Sequence, residues 1–329
     1  MNDLVSVVMA TYNGDQFIRL QIESILNQSY LNLEIIVVDD ASSDNTLAIL
    51  KEYANADARI SIYKNDVNIG FIANFERGLM LSKGEYIALS DQDDIFDTNK
   101  IEMLINALKA SNGCDLVCSD LRLIDEEGNL IANSMWKYAN IGAYKKRYDF
   151  HRLVYSNYVT GCSMMMTRRL CDRSLPFPAD CLVHDWWLAV IATSKNFGGI
   201  CFVNEPLISY RQHGGNVIGV KVGGANLVKT IKSFNTKDRR LDHKNFLIKT
   251  IPLHLNRLQS YLTTDIFTPR EINIINQVHS FYFGYLTDTG NRLDKQIAKL
   301  PSRIRYAVLS SKLSRRILSS IYYCIFPLK

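Results

Sequence analysis

Three carboxylates fall within four positions of the segment 90–94, Ser-Asp-Gln-Asp-Asp. The segment follows the apolar run 86–89, Tyr-Ile-Ala-Leu, which is typical of a buried strand. Neighbouring carboxylates repel one another unless a cation neutralises them, and hard oxygen donors favour a divalent ion such as Mg²⁺ or Mn²⁺. The segment therefore predicts a metal site that handles phosphate. A solvated acidic turn is the alternative interpretation.

The elements that must position these carboxylates alternate between strand and helix. We expect strands at 5–9, 34–38, 60–63 and 86–89, and helical segments at 18–26, 47–50 and 71–81. This order predicts an α/β fold with a doubly wound, mostly parallel sheet, and such sheets bind ligands beyond the carboxyl ends of their strands.

Two common phosphate-binding motifs are absent from the sequence. It contains no G-x-x-x-x-G-K-[ST], and the first strand leads into Thr11-Tyr12-Asn13-Gly14 rather than G-x-G-x-x-G. Phosphate must then be held by something other than a glycine-rich loop. A metal on Asp91 and Asp93 would serve.

The composition is that of an ordinary globular protein. The chain has 329 residues, 47% apolar and 22% charged, enough for one large domain or two moderate ones. We find neither a signal peptide nor a stretch long enough to span a membrane, so we expect a cytoplasmic protein. Its seven cysteines are odd in number and scattered, which favours reduced thiols over disulfides or a zinc site.

The second part of the chain changes character near residue 222. Strand signals fade there, and we expect helices at 226–234, 239–262 and 269–286 and from 303 onward. These patterns predict a catalytic domain over 1–221 and a helical C-terminal region over 222–329.

The last segment of the chain, from Arg292, is strongly basic. It carries nine Lys or Arg side chains and one acidic side chain, Asp294, and its apolar residues recur at helical spacing. A basic amphipathic helix can lie on an anionic membrane surface. Packing of the same apolar face on the protein is the alternative. Because its aromatic residues, apart from Tyr306, are not interleaved with the basic ones, we expect no nucleic-acid partner.

Five sequence motifs together carry a family resemblance. They are V-S-V-V-M-A-T-Y-N-G, V-V-D-D-A-S-S-D-N-T, S-D-Q-D-D-I-F, H-D-W-W-L and Y-R-Q-H-G-G-N. In this order, over roughly residues 3–220, the chain resembles a family 2 glycosyltransferase. The third and fourth motifs are similar to the rhamnosyltransferase-like branch that builds bacterial surface polysaccharides. The resemblance implies a GT-A fold and inverting sugar transfer from a nucleotide-diphosphate donor.

The resemblance also implies roles for the reacting groups. Asp185 matches the general base, which takes the proton of the acceptor hydroxyl. Asp91, Asp93 and His213 match ligands of a Mn²⁺ or Mg²⁺ ion that stabilises the departing diphosphate. The alternatives are a helix N-cap for Asp185 and a surface loop residue for His213. Gly161 and Cys162 could line the acceptor pocket.

The nucleotide side of the site is implied in the same way. Asp40 matches the contact to the ring N–H of uracil or thymine, and Asp39 is expected to be structural or to lie near the ribose. The remaining expected nucleotide contacts are Thr11, Tyr12, Asn13, Asn68, Gly70, Asp91 and Gln92. A core position for Tyr12 and a plain turn at 68–70 are the alternatives.

The function expected from these features is transfer of L-rhamnose from dTDP-rhamnose to a polyprenol-linked glycan, at the cytoplasmic face of the inner membrane. A UDP-hexose donor, galactose or glucose, is the alternative within the same fold. A non-catalytic glycan-binding or scaffold protein is the alternative of another class. The oligomeric state is left open.

Overall fold

A computed structural model of the chain describes residues 3–139, 150–155, 157–214 and 252–287. By its internal contacts the chain divides into two compact units. The first unit contains residues up to 153 together with 157–177 and 183–211. The second unit contains 154, 155, 178–182 and the described residues from 212 onward.

The first unit is built on a sheet of nine strands. They are β1 Val5–Thr11, β2 Leu33–Asp39, β3 Ile60–Lys64, β4 Tyr86–Ser90, β5 Ile95–Phe96, β6 Leu116–Ile124, β7 Leu130–Ala132, β8 Met164–Thr167 and β9 Ile200–Arg211. The strand order is β3-β2-β1-β4-β8-β6-β9-β5, and β7 pairs with β6. The four strands from β3 to β4 are parallel, whereas β8 runs antiparallel to both β4 and β6.

Eight helices belong to the described part of the chain before residue 212. They are α1 Ile18–Leu26, α2 Thr46–Ala56, α3 Phe71–Leu81, α4 Lys100–Ala110, α5 Met135–Tyr138, α6 Phe150–Tyr155, α7 Arg168–Ser174 and α8 His184–Ala192. A 3₁₀ turn spans Gly161–Ser163. Beyond residue 212, helix covers 252–262 and Pro269–Thr287. Among all these described helices, none has the length and apolar character required to cross a bilayer.

The parallel strands form because their sequences suit burial on both faces. Val5, Val7, Val8 and Met9 of β1 have no exposed surface. A parallel sheet covered by helices on both sides needs such continuous apolar strands, because neither face meets water. The register pairs Thr11 with Asp39 and Met9 with Ser90, so the carboxyl ends of β1, β2 and β4 lie side by side.

The sequence predicted this architecture well. The α/β class with its parallel first part is confirmed, the predicted helix 71–81 has those bounds, and the predicted helix 269–286 is found at Pro269–Thr287. The predicted helix at 226–234 and the basic tail from 292 lie outside the described residues. The domain boundary at 221 and the membrane-surface helix therefore stay predictions.

Helix α3 packs on the sheet through Gly78. A Cβ added there would lie 2.4 Å from Val8 Cγ1 and 3.3 Å from Val38 Cγ2. Overpacking costs about 1–3 kcal/mol, and alanine regains about 1 kcal/mol of helix propensity over glycine. Because Val8 is fully buried and β-branched, the overpacking cost lies at the upper end of this range, and we expect Gly78→Ala to lower the free energy of unfolding by about 1–2 kcal/mol in urea titrations. Met80→Ala, an exposed position on the same helix, should change it by less than about 0.5 kcal/mol. A Gly78→Ala protein as stable as the wild type would contradict this packing.

Candidate active site

The candidate site begins with Asp39, the last residue of β2. Its Oδ1 accepts hydrogen bonds from Ser42 Oγ at 2.6 Å and Thr11 Oγ1 at 3.2 Å, and its Oδ2 accepts from Ser42 N at 3.0 Å. Asp39 is fully buried. Both carboxylate oxygens thus hold the loop that follows β2, which is the structural role expected for this residue.

Asp40 holds a second loop. Its Oδ1 accepts from Asn65 Nδ2 at 2.6 Å and Ile69 N at 2.9 Å, and its Oδ2 accepts from Gly70 N at 2.9 Å. Asn68 Oδ1 also accepts from Gly70 N, at 3.1 Å. The φ of +85° at Gly70 suits glycine and lets both backbone N–H groups point at the carboxylate. Asp40 therefore orders the 65–70 loop, and its contact to a nucleotide base stays a prediction.

The loop after β1 is joined to the acidic motif by Gln92. Its Oε1 accepts from Tyr12 N at 2.9 Å, and its Nε2 donates to Tyr12 O at 3.0 Å. A Cβ on Gly14 would lie 2.3 Å from Gln92 Oε1, so a larger residue there would displace the amide from its hydrogen bonds to Tyr12. The Tyr12 side chain is 47% exposed, which excludes the alternative of a core position and leaves its ring available for stacking.

Asn13 connects this loop to the one that follows β2. It has a φ of +47°, a left-handed conformation that asparagine tolerates better than most residues. Its Oδ1 accepts from Ser43 N at 2.8 Å, and its backbone N donates to Ser42 Oγ at 3.0 Å. Thr11, Tyr12, Asn13 and Gln92 thus lie close together, and their contact to a nucleotide stays a prediction.

Asp185 lies in the first turn of α8 and is mostly buried. Its Oδ1 accepts from Asn157 Nδ2 at 2.9 Å, and its Oδ2 accepts from Gly161 N at 3.0 Å. Burial raises the pKa of this carboxyl to about 7, against the opposing effect of these hydrogen bonds. A carboxyl with a pKa near neutrality is suited to accept a proton at physiological pH. The N-cap alternative is wrong, because Val183 occupies the cap position of α8 and Asp185 lies inside the helix.

The neighbouring His184 cannot share that role. Its ring stacks on Phe75 with centroids 4.1 Å apart and meets Phe71 edge-on. Burial lowers its pKa to about 3, so the imidazole is neutral at physiological pH. We infer that His184 packs α8 against α3 and takes no part in proton transfer.

The acidic motif carries strong electrostatic repulsion. Burial, and then the charges of Asp93 and Asp185, raise the pKa of Asp91 to about 7. Burial and the charges of Asp93 and Asp91 raise the pKa of Asp94 well above its usual range. The charge of Asp185 thus acts on Asp91, so the two carboxylates lie within electrostatic range of each other. Asp94 is fully buried and does not fit the solvated-turn alternative, whereas Asp91 and Asp93 are partly exposed.

One group of potential metal ligands stands out among the described residues. The ligand atoms of Asp91, Asp94 and Cys162 all lie within 4.8 Å of one another. Asp94 Oδ2 is buried without a hydrogen-bond partner, so a cation would satisfy an otherwise uncompensated oxygen. Two carboxylates fit Mg²⁺ or Mn²⁺, and the thiol fits Mn²⁺ better than Mg²⁺. Asp93 and His213 do not belong to this group, and their role as ligands stays a prediction.

Arg211, the last residue of β9, holds the acidic motif through hydrogen bonds. Its Nε donates to Asp93 O at 2.9 Å, its backbone N donates to Asp94 Oδ1 at 3.1 Å, and its Nη1 donates to Glu126 O at 2.9 Å. His213 follows two residues later, in the second unit. The guanidinium brings a buried positive charge to the segment that carries Asp93 and Asp94.

Two residues of this site, Asn157 and Arg211, were missed by sequence reasoning, because they act through hydrogen bonds to residues far away in the chain. Asp94 was part of the predicted acidic cluster and Cys162 was expected near the acceptor, but neither was predicted as a potential metal ligand. Both Gly161 and Cys162 are buried, so neither lines an open pocket in the described structure, contrary to expectation. Gly161 instead donates to Asp185.

Comparison with known proteins gives one family match. The profile of Glycosyl transferase family 2 matches residues 6–173. An uncharacterized glycosyltransferase of Haemophilus influenzae is 31% identical over 226 residues, which are 66% of this chain and 68% of that protein.

Two solved structures are similar in fold. S. aureus TarS 1-349 in complex with UDP-GlcNAc has a TM-score of 0.59 and 16% identity, over 98% of this chain and 88% of that one. The mannosyltransferase PcManGT from Pyrobaculum calidifontis, in complex with GDP-Man and Mn²⁺, has a TM-score of 0.55 and 14% identity, over 100% of this chain and 89% of that one. At this identity they show the fold alone.

The contact between Gly14 and Gln92 can be tested by a double-mutant cycle. We expect Gly14→Ala to displace the Gln92 amide and to lower the free energy of unfolding by about 1–3 kcal/mol. In a Gln92→Ala background the same change should cost much less, since the colliding side chain is gone. Urea titration of the four proteins measures this difference. Equal costs in the two backgrounds would contradict the contact.

Proposed function

The chain belongs to family 2 of the glycosyltransferases, and we propose that it transfers a sugar, with inversion, from a nucleotide-diphosphate donor to a polyprenol-linked glycan. L-rhamnose from dTDP-rhamnose is the leading donor, and a bacterial surface glycan such as O-antigen or capsule is the product. Asp185 carries the proposal, because it is a buried carboxyl held by two hydrogen bonds, its pKa is about 7, and its charge acts on Asp91 of the acidic motif.

Asp185 serves as the general base of this reaction. Inversion by direct displacement needs one group that removes the proton of the acceptor hydroxyl as the new bond forms. The hydrogen bonds from Asn157 and Gly161 fix both carboxylate oxygens, which holds the base in one orientation. Trp186 and Trp187, both buried, help to exclude water from its surroundings.

The donor nucleotide occupies the loops at the ends of β1 and β2. Tyr12 offers an exposed ring for stacking on the base. Asp40 follows β2, and the 65–70 loop, which Asp40 holds, follows β3. Uracil and thymine present the same hydrogen-bonding edge, so UDP-glucose and UDP-galactose remain rival donors. TarS was solved with UDP-GlcNAc and PcManGT with GDP-Man, which supports a nucleotide-sugar ligand of this general kind.

A divalent cation completes the proposed site. When bound, Mn²⁺ or Mg²⁺ neutralises the charge that develops on the departing diphosphate. Asp91 and Asp93 are the proposed ligands, with His213 as a third. Asp94 and Cys162, whose ligand atoms lie within 4.8 Å of that of Asp91, are further potential ligands. These carboxylates also favour cation binding because it relieves their mutual repulsion.

A panel of donors tests the proposed function. The purified full chain is incubated with dTDP-rhamnose, UDP-glucose, UDP-galactose, UDP-GlcNAc and GDP-mannose, with Mn²⁺, with Mg²⁺ or with EDTA. We expect turnover of one donor and its loss in EDTA. Absence of both turnover and binding for every donor would favour the non-catalytic glycan-binding alternative. Flotation with anionic vesicles tests the proposed association with the cytoplasmic face of the membrane.

The role of Asp185 predicts a loss of catalysis without a loss of binding. We expect Asp185→Asn to lower kcat by about 10²–10⁴-fold, because general-base catalysis contributes that much. The affinity for donor, measured by calorimetry, should stay close to that of the wild type. Asp172→Asn, at a side chain that is 64% exposed, is the matched control and should keep full activity. Normal kcat in Asp185→Asn would overturn the assignment.

The raised pKa of Asp185 predicts the direction of the pH dependence. The ionised carboxylate is the active form, so kcat/KM should rise with pH and level off above about 7. The Asn157 hydrogen bond favours the ionised form, so Asn157→Leu should move the midpoint to higher pH. A midpoint that does not move, or activity that falls as the pH rises through this range, would contradict the account.

A further inference from the structure

Lys100 is a fully buried cation that the mechanism above does not use. It is the first residue of α4, and none of its surface is exposed. Its Nζ donates to the backbone carbonyl of Cys162 at 2.7 Å and lies 3.0 Å from the centroid of the Phe96 ring. Burying an amine this completely is costly, and burial lowers the pKa of Lys100 to about 7. A group buried at such a cost needs a physical reason.

The charges around Lys100 explain how the ammonium is tolerated. The carboxylates of Asp94, Asp91 and Asp97 all act to raise its pKa and so favour its charged form. Asp97 is itself paired with Arg122. The positive charge of Lys100 therefore offsets part of the negative charge of the acidic motif.

The hydrogen bond from Lys100 reaches a turn that also holds the base. Cys162 is the central residue of the 3₁₀ turn Gly161–Ser163. In that turn Gly161 N donates to Asp185 Oδ2 at 3.0 Å, and a Cβ on Gly161 would lie 2.9 Å from His184 Nε2. Because the turn packs so closely on α8, a small displacement of its backbone would move the N–H donor away from the carboxylate.

We propose that Lys100 is a positioning residue, which anchors the 161–163 turn through the carbonyl of Cys162 and thereby fixes the donor that orients Asp185. The inference rests on the proposed function where it calls Asp185 the base. The contact itself joins α4 to a turn 62 positions later in the chain, so it links two separate parts of the first unit.

Amide hydrogen exchange tests the positioning without requiring any activity. In full-length Lys100→Met, which keeps the length of the side chain but donates no hydrogen bond, we expect the Gly161 amide to exchange about tenfold faster. Lys109→Met, on the exposed end of the same helix, is the matched control and should leave the Gly161 exchange rate unchanged. Lys100→Gln retains an N–H donor and should recover part of the protection.

Kinetics with the donor identified by the panel supply the second readout. We expect Lys100→Met to lower kcat about tenfold with little change in the KM for donor, and to move the pH midpoint of kcat/KM upward, since the Gly161 hydrogen bond favours the ionised Asp185. Asp91 and His184 are the other titratable groups near Asp185. His184 is neutral over this pH range, so it does not contribute to the difference in midpoint between the wild type and Lys100→Met.

The outcomes separate this inference from the proposed function. Faster Gly161 exchange together with no turnover of any donor by the wild type would retain the positioning contact and reject the transferase assignment. Unchanged Gly161 exchange in Lys100→Met would overturn the inference, whatever happens to kcat. If neither variant folds, the wild type decides: a slowly exchanging Lys100 Nζ proton signal at pH 6 supports the buried hydrogen bond, and its absence overturns it.

Discussion

Mutual repulsion among carboxylates is the physical constraint on which this site depends. Burial, and then the charges of neighbouring carboxylates, raise the pKa values of Asp91 and Asp94; Asp93 acts on both groups and Asp185 on Asp91. The free energy of that repulsion must be offset by positive charge. Arg211 and Lys100 supply part of it from inside the protein, and a divalent cation would supply the rest.

On the proposed nucleotide side of the site, carboxylates are stabilised by hydrogen bonds rather than by positive charge. Asp39 and Asp40 are buried carboxylates too, but they accept several hydrogen bonds from backbone and side-chain donors nearby. These hydrogen bonds take the place of water around the two carboxylates, and the carboxylates in turn order the loops that donate to them. One edge of the sheet therefore combines preorganised loops with an acidic cluster that needs a cation, an arrangement suited to binding a diphosphate beside a general base.

The sequence predicted what depends on local pattern. The apolar run of β1 and the helical spacing of α3 identify both elements, and the polar residues that follow β1, β2 and β4 converge because parallel strands end at one edge. The resemblance named Asp185, whose charge acts on the pKa of Asp91, and its role as the base stays a prediction. The partners of these residues could not be predicted, because Asn157, Cys162 and Lys100 meet them through antiparallel pairing and helix packing across long stretches of chain. The hydrophobic periodicity of a sequence contains no information about such long-range contacts.

The central claim is that charge repulsion at this edge is relieved by a cation, and thermal unfolding without nucleotide tests it most directly. The measurement compares the Tm of the wild type and of Asp91→Asn in EDTA and in Mn²⁺ at pH 8, which lies above the Asp91 pKa of about 7, so that this carboxyl is mostly ionised. The account predicts that Asp91→Asn has the higher Tm in EDTA, because one repelling charge is gone, and that Mn²⁺ raises the Tm of the wild type more. A lower Tm for Asp91→Asn in EDTA, or an equal gain from Mn²⁺ in both proteins, would contradict it.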